Sequence, residues 1–350
     1  MLKVLNPGLL TTVQDLGRWG YQAFGMPVAG AMDRLACKTA NYLLGNRPTA
    51  AVLEFTMMGG EYQFLTNTYI ALTGANMMPM LNGIPVSMWS TIKIASGDVL
   101  TLTYAKTGCR CYLAVAGGLD LPLVLGSRAT YTRAKVGGLE GRALKKADII
   151  NFLPTELPTQ KLLQLPTELQ PVQPKQIILR VLLGPQANDF TEQGKKTLFS
   201  NIYTISNEAD RMGYRLEGEV IEHATKPDIV SDALCQGAVQ IPGHGRPIIM
   251  MADRQTTGGY TKIGSVIGSD LRLLAQAKPG DEVSFQEVTD SEAVVALAEE
   301  QEYYKKVQDF VENTANHANH ASTKLNLTVN GKNYFVEIQE KYRSDSNELC

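Results

Sequence analysis

The segment "TTVQDLGRWGYQAFGMPVAGAMD", residues 11–33, is broken by glycines and a proline and is too polar for a buried strand. Its tetrapeptide RWGY at residues 18–21 recurs as RMGY at residues 211–214. Three more pairs of segments recur in the same order: LKVL (2–5) with LRVL (179–182), the glycine-rich segments 117–127 and 258–269, and LKKADIINF (144–152) with AKPGDEVSF (277–285). Four weak repeats in one order predict two units of common design.

The remaining pattern is mainly that of short strands. Apolar runs such as YIALTGA (69–75) and IILRVLLG (177–184) alternate with turns rich in Gly, Pro, Asn and Asp. Helical spacing is confined to a segment at residues 32–46 and to one that starts near the cap candidates Thr289, Asp290 and Ser291. We therefore predict a mainly β chain with a C-terminal helix.

The predicted organisation follows from these repeats and from two polar or proline-rich connectors. It comprises a first β-rich domain at residues 1–153, an extended proline-rich linker at 154–175, a second β-rich domain at 176–288, a helix at 289–312, a linker at 313–324 and a β-hairpin at 325–340. The hairpin, which turns at Asn330-Gly331, resembles the start of a biotinyl-carrier domain. Because the chain has no Met-Lys-Met acceptor, we expect no covalently bound biotin.

The composition of the 350-residue chain excludes several classes of protein. Its 33 Lys and Arg residues are balanced by 35 Asp and Glu residues spread along the chain, so we expect no nucleic-acid partner. The apolar runs are short and interrupted, and the first ten residues lack a signal-peptide pattern, so we expect a cytoplasmic protein without membrane contact. The five cysteines form no CxxC pair and there are only four histidines, so we predict reduced, buried thiols and no metal site.

Several common catalytic motifs are absent from the sequence. There is no GxxxxGK[ST] phosphate loop, no GxSxG elbow and no HExxH pair. What remains is a recurring partnership of arginine with an acid inside glycine-rich loops. Guanidinium groups bind carboxylate or phosphate through two hydrogen bonds, and glycine lets backbone N–H groups approach a ligand closely.

These loops supply the candidate site residues. We predict catalytic roles for Arg254, Asp253 and Arg18, and substrate-binding roles for Asp15, Tyr21, Arg128, Asp210, Arg211, Tyr214, Gln255, Thr256, Thr257, Gly258, Gly259 and Tyr260. Such a set suits a small anionic or amide substrate and stabilises charge that develops on its oxygens. The competing interpretation is that the Asp-Arg pairs only stabilise turns. For MADRQTTGGY (251–260) we favour a functional site, because six polar side chains so close together exceed what a turn needs.

The motifs together resemble one family along residues 2–285. Segments 11–33, 112–131, 206–218, 228–271 and 277–285 are similar to the family of 5-oxoprolinase C subunits, also called the biotin-dependent carboxyltransferase or allophanate hydrolase subunit 2 family. Two departures are Ala29, where the family usually has Ser, and Cys235, where it often has Pro. The helix, linker and hairpin after residue 285 lie outside the resemblance.

The resemblance implies two cyclophilin-like β-barrel domains related by internal duplication. It implies the C subunit of an ATP-dependent 5-oxoprolinase, which opens the lactam of 5-oxoproline to L-glutamate together with the A and B subunits. ATP is then a cosubstrate of the complex, because this chain has no phosphate-loop motif. Two alternatives remain open: a regulatory protein that binds a kinase inhibitor, and a carboxyltransferase component that acts on a carboxybiotin carried by another chain.

Overall fold

The protein is mainly β, with a long C-terminal helix, as predicted. The structure, a computed structural model, describes residues 1–155, 162–319, 323–329 and 332–338, with side chains as far as residue 314. Hydrophobic residues form two large cores, one in each half of the chain. No helix in the described ranges is both long enough and apolar enough to cross a bilayer.

The first half consists of two sheets that enclose one core. Its elements are β1 (Leu2–Asn6), β2 (Leu10–Gln14), α1 (Arg34–Leu43), β3 (Val52–Thr56), β4 (Glu61–Phe64), β5 (Thr68–Asn76), β6 (Met80–Leu81), β7 (Ile84–Pro85), β8 (Ser90–Ile94), β9 (Val99–Thr101), β10 (Thr107–Val115), β11 (Leu119–Asp120) and β12 (Ile149–Phe152). The sheets have the strand orders β11-β12-β1-β4-β9-β6-β7 and β2-β3-β10-β5-β8.

The second half contains a closed barrel. Its elements are β13 (Ile177–Leu183), α2 (Glu192–Ser200), β14 (Ile202–Ile205), β15 (Gly213–Glu217), β16 (Asp228–Ala233), β17 (Ala238–Gln240), β18 (Ile248–Met250), β19 (Thr257–Tyr260), β20 (Lys262–Val266), α3 (Leu271–Ala275) and β21 (Glu282–Glu287). The barrel has the order β13-β20-β17-β18-β15-β14-β21, and β16 pairs with β19 in a separate ribbon. The β-barrel predicted for the second half is therefore confirmed.

The repeated segments pair with each other in both halves, but in opposite directions. Strand β1 runs antiparallel to β12, whereas β13 runs parallel to β21. The next strand also follows differently in the two halves: β2 joins the second sheet beside β3, whereas α2 connects β13 to β14, which pairs with the other edge of β21.

Helix α1 covers one sheet of the first half and begins where the sequence predicts it. The Asp33 carboxylate accepts a hydrogen bond of 3.0 Å from the Ala36 N–H, which caps the first turn. The buried face of α1 packs against β5 and β10. The helix thus starts immediately after the opening loop and fixes the position of the last residue of that loop, Asp33.

The C-terminal helix α4 (Asp290–Asn319) packs against α1 and is longer than predicted. Residues 313–319, which we predicted as linker, are helical, so that part of the prediction is wrong. Thr289 and Glu292 form a capping box, in which the Thr289 N–H donates to the Glu292 carboxylate at 2.7 Å. Strands β22 (Thr323–Val329) and β23 (Lys332–Ile338) pair where the hairpin is predicted, and its Asn-Gly turn lies outside the described residues.

Of the predicted proline-rich linker the structure describes residues 154–155 and 162–175, which include a short 3-10 helix at Thr167–Leu169, and this second part is docked on the first domain. The Leu163 N–H donates to the Thr91 hydroxyl at 2.7 Å, and the Leu165 N–H donates to the Trp89 carbonyl at 2.9 Å. Both leucine side chains are buried. The buried side chains of Leu163 and Leu165 therefore hold this part of the linker against β8.

The thiol prediction is correct for three cysteines and wrong for one. Cys37, Cys109 and Cys111 are free and buried, whereas Cys235 is exposed. Cys235 lies in the surface loop between β16 and β17, outside both cores. Cys350 lies outside the described residues.

Candidate functional site

The opening segment is the loop that joins the two halves of the molecule. The Ala29 N–H donates to the Ala252 carbonyl at 3.1 Å, and the Met32 side chain belongs to the core of the second half. Two glycines make the loop compact, because a Cβ on Gly30 would lie 2.7 Å from the Gly17 nitrogen. The loop therefore lies beside residues 251–254, and we call this region the junction.

One set of arginines at the junction is fully neutralised. Arg211 donates two hydrogen bonds of 2.9 Å to the Asp253 carboxylate. It donates another to the Glu54 carboxylate on β3 and a fourth, of 2.7 Å, to the Gly30 carbonyl. This guanidinium therefore joins both halves of the chain through charge-assisted bonds.

Arg110 on β10 extends the same network. Its guanidinium donates to the Tyr214 hydroxyl and to the Ala275 carbonyl, both at 2.7 Å, and lies 3.9 Å from the Glu54 carboxylate. Glu54 also accepts hydrogen bonds of 2.8 Å from the Tyr112 hydroxyl and 2.9 Å from the Met32 N–H. We call Arg110, Arg211, Glu54 and Asp253 the paired cluster.

Gln276 adds a neutral bridge beside this cluster. Its amide group donates to Asp33 at 2.8 Å and to the Arg110 carbonyl at 2.9 Å. Its carbonyl oxygen accepts from the N–H groups of Cys109 and Arg110, both at 3.0 Å. The Gln276 side chain, which belongs to the second half, thus supplies hydrogen-bond partners for backbone groups of β10 in the first half.

Burial and opposite charge compete for the ionisable groups of the paired cluster. Burial raises the pKa of Asp253, and the neighbouring Arg211 opposes that rise. Burial disfavours the charge of Arg211, but Asp253 and Glu54 outweigh it and raise the arginine pKa. Both arginines of the cluster therefore stay protonated, and their role in this geometry is to hold the two halves together.

Arg18 is a buried arginine of a different kind. Its side chain has 0% relative exposure, and it donates hydrogen bonds of 2.9 Å to the carbonyls of Val124 and Ala129. Among the described residues its Nη1 has no hydrogen-bond partner, and no carboxylate lies within the 4.0 Å of an ion pair. Burial lowers its pKa, although Asp15 and Asp253 favour the charged form.

Asp15 does not neutralise Arg18, because other donors occupy it. One of its oxygens accepts from the Gly17 N–H at 2.8 Å and from the Ser127 hydroxyl at 2.7 Å. The other accepts from the Arg128 N–H at 2.6 Å. Asp15 therefore fixes the turn in which Arg18 lies.

Arg254, on the other side of the junction, likewise has only backbone carbonyls as hydrogen-bond partners, although, unlike Arg18, it has no buried nitrogen left without one among the described residues. It is 4% exposed and donates to the carbonyls of Leu234, at 3.1 Å, and Met251, at 3.4 Å. Burial lowers its pKa, and the charge of Arg34 lowers it further against an opposing effect of Cys235. We call Arg18 and Arg254 the unpaired arginines, since no carboxylate among the described residues forms an ion pair with either of them.

The other predicted site residues are distributed around the junction. Tyr214 contacts the paired cluster through Arg110, while Tyr21 is half-buried in the opening loop. Asp210 is exposed and caps a turn by accepting the Met212 N–H at 2.8 Å, and the Arg128 side chain donates to the Leu121 carbonyl at 2.7 Å. Gln255, Thr256, Thr257, Gly258, Gly259 and Tyr260 form or precede β19 in the outer ribbon. The structure therefore brings only part of the predicted set together.

Sequence reasoning missed Glu54, Arg110 and Gln276 as junction residues, whereas it singled out Asp33 among the acids of the opening segment. The available signal was a charged residue inside an otherwise apolar strand, as in VLEFT at residues 52–56 and CRCYLAV at residues 109–115. A charged side chain there needs a partner, because an unpaired charge in a core is costly.

Four cavities of 250–800 Å³ lie elsewhere on the described part of the chain. Their lining residues do not include Arg18, Asp253 or Arg254. In the same ranges, no group of three or more His, Cys, Asp or Glu side chains is placed to hold a metal ion.

Comparison with known proteins identifies relatives that share nearly the whole chain. The chain is 37% identical to the C subunit of the Escherichia coli 5-oxoprolinase over 88% of its own length and 97% of that protein. It is 35% identical to the C subunit of the Haemophilus influenzae 5-oxoprolinase over 89% of its length and 99% of that protein. The crystal structure of the K. lactis urea amidolyase matches with a TM-score of 0.83 and 29% identity, over 88% of this chain and 20% of that one.

A family model agrees with these relatives. The model of the carboxyltransferase domain, subdomain A and B, matches residues 24–287, which include most of both cores. With this match and the two bacterial relatives, the chain belongs to the carboxyltransferase-domain family that includes the 5-oxoprolinase C subunits.

Proposed function

We propose that this chain is the C subunit of an ATP-dependent 5-oxoprolinase and opens 5-oxoproline to L-glutamate together with the A and B subunits. The relatedness to two 5-oxoprolinase C subunits along nearly their whole length supports this assignment. The single structural observation that carries it is the pair of buried arginines without a carboxylate partner, Arg18 and Arg254. A buried cation of this kind is stabilised when an anionic ligand binds to it.

The chemistry of 5-oxoproline fits this arrangement. The substrate carries one carboxylate and one lactam carbonyl, whose oxygen gains negative charge as the ring opens. The free Nη1 of Arg18 suits the carboxylate, and Arg254 suits the developing charge on the lactam oxygen. In the complex, transfer of the γ-phosphoryl group of ATP to the lactam oxygen, with release of ADP, would activate the carbonyl carbon for attack by water. The ring C–N bond would then break with a proton going to the nitrogen, and a second water would release phosphate from the resulting acyl phosphate to leave L-glutamate.

Asp253 has a positioning role in this proposal. Both of its oxygens accept hydrogen bonds from Arg211, so its carboxylate is bound to the scaffold. It thereby holds the backbone of residues 251–254, and with it Arg254, against the opening loop. The partner proteins would then complete the site by moving the junction loops, since Arg18 and Arg254 line none of the four cavities described above.

The decisive variant is Arg254→Gln in the reconstituted three-protein complex. Removing a donor to the developing oxyanion is expected to lower kcat by about 10²–10³. The measurement is ATP-dependent glutamate formation, with circular dichroism and co-purification of the three proteins as checks on folding and assembly. Arg246→Gln is the matched control, because Arg246 is exposed in the same half. Wild-type turnover in Arg254→Gln would refute the proposed role.

The family match favours a second candidate, a carboxyltransferase that acts on a carboxybiotin carried by another chain. Its support is the fold shared with the K. lactis urea amidolyase and the carboxyltransferase-domain model. Carboxyl transfer from carboxybiotin to urea, without glutamate formation from 5-oxoproline, would favour this candidate. Neither activity in the complete complex would favour the regulatory role.

A further inference from the structure

A second basic site lies between α1, the turn before α3 and the C-terminal helix α4. A cavity of 250 Å³ there is lined by three basic side chains, Arg34, Lys38 and Arg272, and by one acid, Glu300. Glu300 belongs to α4, which begins after the residues matched by the carboxyltransferase model.

The cations of this cavity are not neutralised by the protein. Among the described residues, Arg272 forms no ion pair within 4.0 Å, and Glu300 accepts the Tyr304 hydroxyl at 2.8 Å. The Lys38 ammonium lies 4.2 Å from the centre of the Tyr304 ring. The net charge of the cavity wall is therefore about +2, from three cations and one carboxylate.

Two polar atoms at the same cavity are left without partners. The Nε of Arg34 and the hydroxyl of Ser269 are buried, and neither has a hydrogen-bond partner among the described residues. Both residues line the cavity. Burial also lowers the pKa values of Arg34 and Lys38, so their charged forms are disfavoured without an anion.

We propose that this cavity binds a phosphate dianion through Arg34, Lys38 and Arg272. A phosphate group carries a charge of about −1.5 to −2 at neutral pH and three strong acceptor oxygens. It matches the net positive charge of the wall, and the buried Nε of Arg34 and hydroxyl of Ser269 would donate to it only after a local side-chain movement. A carboxylate matches less well, since it brings one charge and two oxygens. The cavity borders the junction, since Met32 of the opening segment also lines it, but its lining contains neither Arg18 nor Arg254 and the proposal does not depend on the reaction proposed above.

The test uses inorganic phosphate and the full chain. Phosphate binding is measured by titration calorimetry, and Lys38→Met and Arg272→Gln are each expected to weaken it by at least about tenfold. Lys38→Arg keeps the charge and is expected to retain binding. Lys306→Met is the control for loss of a lysine, because Lys306 is exposed on α4 outside the cavity.

A second measurement separates lost binding from misfolding. Phosphate is expected to raise the unfolding temperature of the wild type and of Lys38→Arg, but not that of Lys38→Met. Competition by ADP would support the site and assign its phosphate to a nucleotide, whereas binding of phosphate alone would support a free-phosphate site. Equal affinities of wild type and Lys38→Met, no binding to the wild type, or equal binding of acetate would each overturn the proposal.

Discussion

The paired cluster and the unpaired arginines lie at the same junction but differ in what surrounds their charge. Arg211 has two carboxylates and a carbonyl as partners, whereas Arg18 and Arg254 have only backbone carbonyls. All three guanidinium groups are at least nine-tenths buried. Burial and charge are therefore not enough to assign a role to an arginine, and the groups that bind its guanidinium must also be known.

The physical reason is the cost of an uncompensated charge in a core. A buried ion pair is strongly destabilised when one partner is removed, because the other charge remains without compensation. In the paired cluster that compensation comes from the protein, so its loss is expected to appear in stability. At the unpaired arginines it comes from a ligand in our account, so the loss is expected to appear in turnover.

The largest stability effect is expected for Glu54→Gln. The substitution leaves Asp253 as the only carboxylate partner of Arg211, and it removes the negative charge that faces Arg110. The free energy of unfolding should fall by about 3–5 kcal/mol. Equilibrium denaturation in urea measures this change.

A matched control for this variant is Glu208→Gln. Glu208 lies 3.4 Å from Arg215 in an exposed pair, so its removal should leave the unfolding free energy unchanged within error. Equal losses in the two variants would show that the paired cluster does not hold the halves together.

A smaller loss of stability is expected for Arg18→Met. The variant removes two hydrogen bonds to carbonyls, but it also removes a buried charge without a carboxylate partner. The unfolding free energy should therefore fall by about 1–2 kcal/mol, while glutamate formation by the complex is lost. Full turnover in Arg18→Met would show that Arg18 does not bind the substrate.

The smallest effect is expected at the Arg142–Asp148 pair on the periphery. Burial disfavours the charge of Asp148, but two hydrogen bonds from Arg142, of 2.7 and 3.0 Å, outweigh it and lower the pKa of this carboxyl below its usual value. Asp148→Asn should cost less than about 1 kcal/mol at neutral pH.

The pH dependence of this pair has a definite sign. Because the folded-state pKa of Asp148 is lowered, its contribution is present above about pH 4 and disappears as the pH falls through the folded-state value. Unfolding curves of wild type and Asp148→Asn should therefore converge in acid. A difference that grows below about pH 4 would contradict the assignment.

Much of the fold could be predicted from the sequence, because strand runs and turn residues are local signals. Helix α1 starts at the capping residue Asp33, and the barrel strands follow the apolar runs. The opposite pairing directions, antiparallel for β1 with β12 and parallel for β13 with β21, were not predictable from the repeats, since strand direction depends on the path of the chain between the paired strands. The last part of α4, residues 313–319, was predicted as a linker because its small and polar residues are typical of linkers.

The site was only partly predictable for a related reason. The sequence marked Arg18, Arg211 and Arg254 alike, as arginines beside an acid in a glycine-rich loop. The partners that distinguish them come from distant parts of the chain, such as Glu54 for Arg211. A lone glutamate in an apolar strand carries no local signal of its partner, so the distinction needs the folded structure.

The central claim is that the unpaired arginines serve a ligand and the paired cluster holds the halves together. The most direct test is the unfolding free energy of the isolated Arg254→Gln chain, compared with that of Glu54→Gln. The account predicts a loss of about 1 kcal/mol for Arg254→Gln, because only two hydrogen bonds to carbonyls disappear. A loss of about 3–5 kcal/mol, equal to that expected for Glu54→Gln, would contradict it.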